Sequence, residues 1–386
     1  MRIHVISSEL PPGPGGIGTH AYEVARGLVC LGHEVEVVAA QDYVEAGEAS
    51  AWNAAQPFAV VPLARAGSGG RLGRAWSRLK MLRRRLVDFR PDVILASGDP
   101  AVYWTRLALK TVRRRPSVVA VEHGRVPPAR EARLKRWSFE GADHVVAVSA
   151  YSLGRLQAWG VRPRAESVIH NGADVDFFRP VTGAESADLR RELGLGDVRL
   201  LLTVGSVHAR KGQDLVVRAL PSILQAVPDV HYLVAGLGHE AAALEDLARA
   251  EGVADRIHLL GAVDRERLRV LYGTCDLFLM TSRNTETQFE GFGIAAIEAA
   301  LCGRPALVTG GSGLQEAVLD GETGRVAAPE DPQDVARLAI ELLSSPGDLR
   351  ALGEAARRRA MEELSWQASA TAYGELLVSL ADGGRR

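Results

Sequence analysis

Two carboxylates eight residues apart bracket the segment Glu290-Gly-Phe-Gly-Ile-Ala-Ala-Ile-Glu298, which runs on to Cys302-Gly-Arg-Pro305. Glu290 stands before a Gly-Phe-Gly turn, and Glu298 falls within the helix expected to follow. A glycine-rich helix start presents backbone N–H groups and the positive end of the peptide dipoles. Gly291, Phe292, Gly293 and Ile294 therefore suit a diphosphate. A carboxylate beside such a site accepts hydrogen bonds from the hydroxyls of a sugar or a ribose. One element could thus hold the phosphates, ribose and hexose of a single sugar nucleotide. The bland reading makes Glu290 a first-turn helix residue and Glu298 a solvated one. Apolar Ile294, Ala295, Ile297 and Ala299 around Glu298 argue against solvation.

The context E-G-F-G-I-x-x-x-E-A-x-x-C-G-x-P resembles the E-x7-E signature of the family-4 retaining glycosyltransferases. Three further segments resemble motifs of that family, in family order, so the resemblance covers nearly the whole chain. They are Gly15-Gly-Ile-Gly-Thr-His20, Ile169-His-Asn-Gly-Ala-Asp174 and Val204-Gly-Ser-Val-His-Ala-Arg-Lys-Gly-Gln-Asp214. The resemblance implies the GT-B fold, in which two Rossmann-like, doubly wound parallel-sheet domains face each other across a cleft. It also implies metal-independent, retaining transfer of a hexose-type sugar from a UDP- or GDP-sugar to an acceptor hydroxyl, with no other cofactor.

Roles follow from the same resemblance. Glu290 contacts hydroxyls of the donor sugar and Glu298 holds the ribose. Lys211 is the cation on the departing diphosphate, where charge builds in the transition state. The backbone N–H of Gly16, in a mobile glycine loop, meets the donor β-phosphate. His123, in Val-Glu-His-Gly-Arg after a predicted strand, orients the hexose near its reacting carbon. His20, just past the glycine loop, is placed on the acceptor side, with helix capping or surface exposure as alternatives. Ser206 departs from the pattern, which most often has an arginine there; serine offers a hydroxyl and no charge. Arg210 would compensate only if two adjacent side chains pointed alike. Segment 281–289 is longer than the family's usual link and should line the sugar pocket.

Other chemistries fit less well. Gly13-Pro-Gly15-Gly-Ile-Gly18 matches G-x-G-x-x-G in form. However, Ser7-Ser-Glu-Leu-Pro-Pro separates it from its strand, and Asp42 comes late for a ribose-binding acid. A glycosidase would set its carboxylates on opposite sides of a scissile bond, not in one short segment. No His/Asp/Glu/Cys spacing suggests a metal site. A sugar-nucleotide epimerase of similar fold, or a nucleotide-sugar-binding subunit without turnover, remain as alternatives.

The 386 residues, 47% apolar and 24% charged, suit two or three globular domains. No apolar run is long enough to span a bilayer, the start reads as a strand, not a signal peptide, and three scattered cysteines fit a reducing cytoplasm. The net charge of −1 is uneven: residues 1–172 carry 24 Lys+Arg against 15 Asp+Glu, and residues 173–386 carry 22 against 32. Basic clusters at 65–90, 106–115 and 125–136 read either as solvated helix faces or as a surface for an anionic partner. Arg71, Arg74, Arg78, Lys80 and Arg83–Arg85 surround Leu72, Trp76, Leu79, Leu82 and Leu86, which could lay a basic amphipathic helix on an anionic inner-membrane face. The acceptor is then lipid-linked, or else a soluble metabolite. Nucleic acid is not expected, since no aromatic stacking platform is visible.

These residues need scaffolds. Strand patterns at 2–7, 34–39, 92–96, 117–122 and 144–149 alternate with helix patterns, then restart at 200–204, 230–235, 257–260, 277–280 and 306–309. Such alternation predicts two parallel sheets. The expected domains are 1–175, for the acceptor, and 176–365, for the nucleotide sugar, with a breaker-rich join near 179–196. The helix 366–386 should return to the first domain through Trp366, Tyr373, Leu376 and Leu377. Open parallel sheets bind ligands at the carboxyl ends of their strands, where the motifs fall.

Overall fold

The computed structural model describes residues 1–13, 15–41, 44–63 and 71–383. Pro14 of the glycine segment, Asp42 and the start of the 65–90 basic cluster lie outside the described residues. So do the side chains of Arg71, Leu72, Ala129 and Arg130. The chain forms two compact units: Met1–Asn171 with Trp366–Arg386, and Gly172–Ser365.

The first unit is a seven-stranded parallel sheet. In chain order its strands are β1 (Arg2–Ser7), β2 (Glu34–Ala39), β3 (Ala59–Pro62), β4 (Val93–Ser97), β5 (Ser117–Glu122), β6 (His144–Ala147) and β7 (Glu166–Val168). Their order in the sheet is β3-β2-β1-β4-β5-β6-β7. Helices cover both faces, so the central strands are continuous apolar runs such as Val93-Ile-Leu-Ala-Ser97, buried throughout. The second unit is a six-stranded parallel sheet of β8 (Arg199–Val204), β9 (Val230–Ala235), β10 (Ile257–Gly261), β11 (Leu277–Met280), β12 (Ala306–Thr309) and β13 (Gly324–Ala327). Its order is β10-β9-β8-β11-β12-β13. Both sheets are thus doubly wound, as expected, and each reverses strand order once, between β1 and β4 and between β8 and β11.

Three strands were not legible in the sequence: β3, β7 and β13. Each lies at a sheet edge. They are three or four residues long. Glu-Ser-Val and Gly-Arg-Val-Ala mix polar with apolar residues, and β3, Ala-Val-Val-Pro, has a short apolar run set between Pro57 and Pro62, which argue against a strand. The join also differs from expectation, because it contains the helix Gly183–Glu192. That helix starts with a reciprocal capping box between Thr182 and Glu185, a T-x-x-E signal that the sequence does carry.

The last helix, Trp366–Gly383, packs on the first unit's Gly16–Cys30 helix. Of its expected docking residues, Trp366, Tyr373 and Leu377 are buried and Leu376 is half-buried. A Cβ on Gly27 would lie 2.2 Å from that of Ala370, so the two backbones approach as only a glycine allows.

The basic helix Arg71–Phe89 departs from the amphipathic reading in which its leucines meet lipid. Leu82, Leu86 and Phe89 are buried, the first two in the unit's core, and Leu79 packs against it. Arg85 grips the buried Glu36 with two guanidinium nitrogens. The outward face carries Trp76, 69% exposed, with Lys80, Arg83, Arg84 and Val87. Among the described residues no helix is long and apolar enough to cross a membrane.

Candidate active site

In the second unit the predicted donor residues gather at the β8/β11 strand-order reversal, where a parallel sheet opens a crevice. After β8 the chain makes a short 3-10 turn, Ala209–Lys211, closed by Gly212 in the left-handed region with φ 70°. A Cβ on Gly212 would lie 1.9 Å from the Thr281 carbonyl oxygen, so only glycine fits. The Thr281 hydroxyl donates to the Gly212 carbonyl at 2.7 Å, and the Arg283 N–H donates to the Arg210 carbonyl at 2.8 Å. The Arg283 guanidinium also holds both Asp214 oxygens at 3.0 Å. The 281–289 segment is thereby fastened to the turn that carries Lys211.

Arg210 Nη1 and Lys211 Nζ both donate to Oε2 of Glu290 at 2.8 Å. All three side chains are about five-sixths buried, with 15–17% exposed. The expectation that adjacent side chains diverge is overturned: the tight turn and the reach of both stems bring the two cations to one oxygen. Burial acts to raise the Glu290 carboxyl, but Lys211 and Arg210 outweigh it and hold it at about 2. The triad is two cations and one anion, so it carries an uncompensated positive charge. Ser206, in the loop above, is exposed, and its carbonyl accepts from Gln213 at 3.1 Å.

The helix after Glu290 is Ile294–Leu301, with Gly293 at its cap in a left-handed conformation. A Cβ on Gly293 would lie 2.4 Å from the Leu314 side chain. Gly291 and Phe292 are buried in the approach to this cap, and Ile294 is half-buried. Glu298 lies on the same helix, half-buried, and accepts from the Tyr272 hydroxyl at 2.8 Å. Burial pushes the Glu298 carboxyl up to about 7, against the Tyr272 hydrogen bond and the charge of Arg265. Tyr272 carried no signal in the sequence, because its pairing depends on two helices that meet only in the fold.

In the first unit the candidates gather at the β1/β4 reversal and beside it. The glycine segment is not a free loop: the helix begins at Gly16, whose exposed N–H is one of the unsatisfied donors of its first turn. His123 follows β5, half-buried, with Nε2 2.8 Å from the Ser97 hydroxyl. His20 is 1% exposed, contrary to capping or surface exposure, and sits against His123 with ring centroids 4.7 Å apart. Burial first, then the Lys135 charge, lowers the His123 imidazole to about 3; burial and His123 lower His20. Lys135 Nζ is itself pinned by buried Glu122 at 2.7 Å and by Asp99 at 3.2 Å. Ser97, at the carboxyl end of a predicted strand, stood where ligand-side residues belong, yet the sequence did not single it out. Among the described residues no three His, Cys, Asp or Glu side chains converge as a metal site would require.

The fold is that of known GT-B enzymes. Anabaena HepE, in complex with UDP and glucose, aligns over 98% of this chain and 100% of its own, with TM-score 0.82 and 22% identity. Sucrose-phosphate synthase from Thermosynechococcus elongatus covers 99% of each chain, with TM-score 0.80 and 21% identity. Residues 14–177 match the family model "Glycosyltransferase Family 4", and residues 185–359 match "Glycosyl transferases group 1". The GDP-mannose-dependent alpha-(1-6)-phosphatidylinositol monomannoside mannosyltransferase of Mycolicibacterium smegmatis is 30% identical over 390 residues, 97% of each chain. Glycogen synthase of Mycobacterium tuberculosis is 28% identical over 432 residues, covering 100% of this chain and 96% of its own. The chain belongs to the family-4 glycosyltransferases of GT-B fold, and it is a nucleotide-sugar-dependent enzyme of that class.

Proposed function

We propose that the protein transfers a mannosyl or related hexosyl group from a nucleoside-diphosphate sugar to an acceptor hydroxyl, with retention and without a metal. The observation that carries this reading is the pair of cations closed on Glu290, a triad with one positive charge in excess. A diphosphate arriving there meets Lys211 and Arg210 and neutralises that excess. Release of the cations leaves Glu290 free to accept from sugar hydroxyls. Arg210 thus supplies the second cation that Ser206 lacks, which removes the motive for a subunit without turnover.

In this reading the N-terminus of the Ile294–Leu301 helix and the Gly16 N–H add backbone donors to the phosphates. Glu298 accepts from the ribose, and His123 faces the hexose. The protein's contribution is positioning and stabilisation of the leaving diphosphate. The departing phosphate oxygen helps to take the acceptor proton.

The mannosyltransferase relatives make GDP-mannose the first donor to test, followed by UDP-glucose. They also favour a lipid-linked acceptor, which would be approached from a membrane surface. The exposed Trp76, Lys80, Arg83, Arg84 and Val87 face supports peripheral contact with an anionic bilayer. Incubation with GDP- and UDP-sugars, with and without phosphatidylinositol mannosides and soluble polyols, tests the reading by mass spectrometry. A glycosylated acceptor is expected. Donor epimerised without acceptor, or donor bound and never consumed, overturns it.

A further inference from the structure

His123 ends a buried hydrogen-bond chain. The Ser97 hydroxyl lies 2.8 Å from Nε2 of His123 and 3.3 Å from Nδ1 of His20. Nε2 of His20 lies 3.0 Å from the hydroxyl of Tyr373 on the last helix. Ser97, His20 and Tyr373 are each at most 1% exposed.

The direction of this chain follows from its far end. Burial raises the Tyr373 phenol, so it stays an O–H, and its hydrogen-bond partner among the described residues is His20. A buried hydroxyl hydrogen left undonated is costly, so Tyr373 donates to Nε2 of His20. His20 is neutral and must then carry its single proton on Nδ1, which donates to Ser97. The Ser97 oxygen is now an acceptor on that side, and its one hydrogen goes to Nε2 of His123. His123, also neutral, is left with its proton on Nδ1, which has no partner among the described residues. The opposite direction would leave the Tyr373 hydrogen undonated.

We infer that Tyr373, His20 and Ser97 form a one-way relay that positions the His123 ring and holds it as the Nδ1–H tautomer, so that His123 offers its ligand a hydrogen-bond donor and not a base. This deepens the proposed function and rests on its placement of His123 against the donor hexose. Tyr373, His20 and Ser97 are positioning residues; none needs to touch substrate. A fixed donor suits a sugar hydroxyl oxygen whose electron density it can hold. It excludes proton abstraction by His123 from the acceptor.

The test is nitrogen-15 NMR of the histidine-labelled full chain, with His20 and His123 signals assigned through His20→Gln and His123→Ala variants. Both rings should show a protonated Nδ1 and a bare Nε2. A proton on Nε2 of His123 overturns the inference. Tyr373→Phe keeps the ring and removes only the hydroxyl. It should give mixed His123 tautomers and lower kcat roughly 10-fold with a smaller change in donor KM, the scale of one lost buried hydrogen bond. A folded Tyr373→Phe protein with an unchanged spectrum and unchanged kcat also overturns the relay; if the variant does not fold, the wild-type spectrum decides. His123→Ala separates the two readings. Full turnover in that variant removes His123 from the sugar site, whereas lost turnover with an Nε2–H wild type sinks the relay alone.

Discussion

Tyr272 donates its hydroxyl hydrogen to Oε2 of Glu298 at 2.8 Å, and burial still holds that carboxyl up at about 7. Between the ordinary glutamate value near 4.3 and about 7, the folded protein therefore binds more protons at this site than the unfolded chain. Stability contributed here falls as pH rises through that window. Ribose hydroxyls donating to the carboxylate would stabilise its charged form and release the proton. Nucleotide binding should consequently tighten from pH 6 to pH 8 and release protons, read by calorimetry in buffers of different ionisation enthalpy. Glu298→Gln should flatten the dependence. A wild-type affinity independent of pH would take Glu298 away from the ribose.

Glu290→Gln is expected to lower kcat roughly 10- to 1000-fold, because a charged hydrogen bond to the sugar is weakened. The same change frees Arg210 and Lys211 from their carboxylate, so free nucleoside diphosphate should bind at least as tightly as before. Steady-state kinetics and calorimetry on one preparation read both. Unchanged kcat at saturating donor would remove Glu290 from the reaction.

Arg210→Ala and Lys211→Ala should each cost roughly 10- to 100-fold in kcat/KM, the worth of a charge-assisted hydrogen bond. Because both cations meet one partner, their effects should not add. The melting temperature should change little, since each single variant leaves Glu290 paired with the other cation. A collapse in melting temperature with the residual activity per folded molecule intact would make the pair structural.

Transfer should persist after EDTA treatment, with Lys211 and Arg210 serving where a divalent ion would otherwise neutralise the diphosphate. Complete loss, restored by magnesium, is the contrary result.

Membrane association should be tested on the outward face of the basic helix. Changing Trp76, Lys80, Arg83 and Arg84 to serine should abolish salt-sensitive co-sedimentation with anionic vesicles. Arg85 is unsuitable for this purpose. It pairs with buried Glu36, and removing that guanidinium would leave the carboxylate with only His4 at 3.2 Å, a loss on the order of 3–5 kcal/mol at most. Equal sedimentation of wild type and variant, or none at low salt, points to a soluble acceptor.

The amino-acid sequence by itself determined the central strands, the two doubly wound sheets and the family motifs, because these rest on local regularities. A buried parallel strand must be an apolar run, and a glycine must stand where a Cβ would strike backbone, as at Gly212. Where packing is one-sided, this local signal fades. The edge strands β3, β7 and β13 are held by one neighbour each: β7 and β13 mix polar with apolar residues, and the short apolar run of β3 is masked by Pro57 and Pro62. Only the tertiary structure decided which long side chains share a partner. Arg210 and Lys211 converge on Glu290 because Arg283 ties their turn to the 281–289 segment. Leu82 and Leu86 face the core, and Arg85 meets Glu36, because the helix beneath them packs on the sheet. His20 and Tyr373, 353 residues apart in the chain, come within 3.0 Å only through the return of the last helix. Contacts of this kind have no period and no spacing, since they arise from rotations of whole elements about one another.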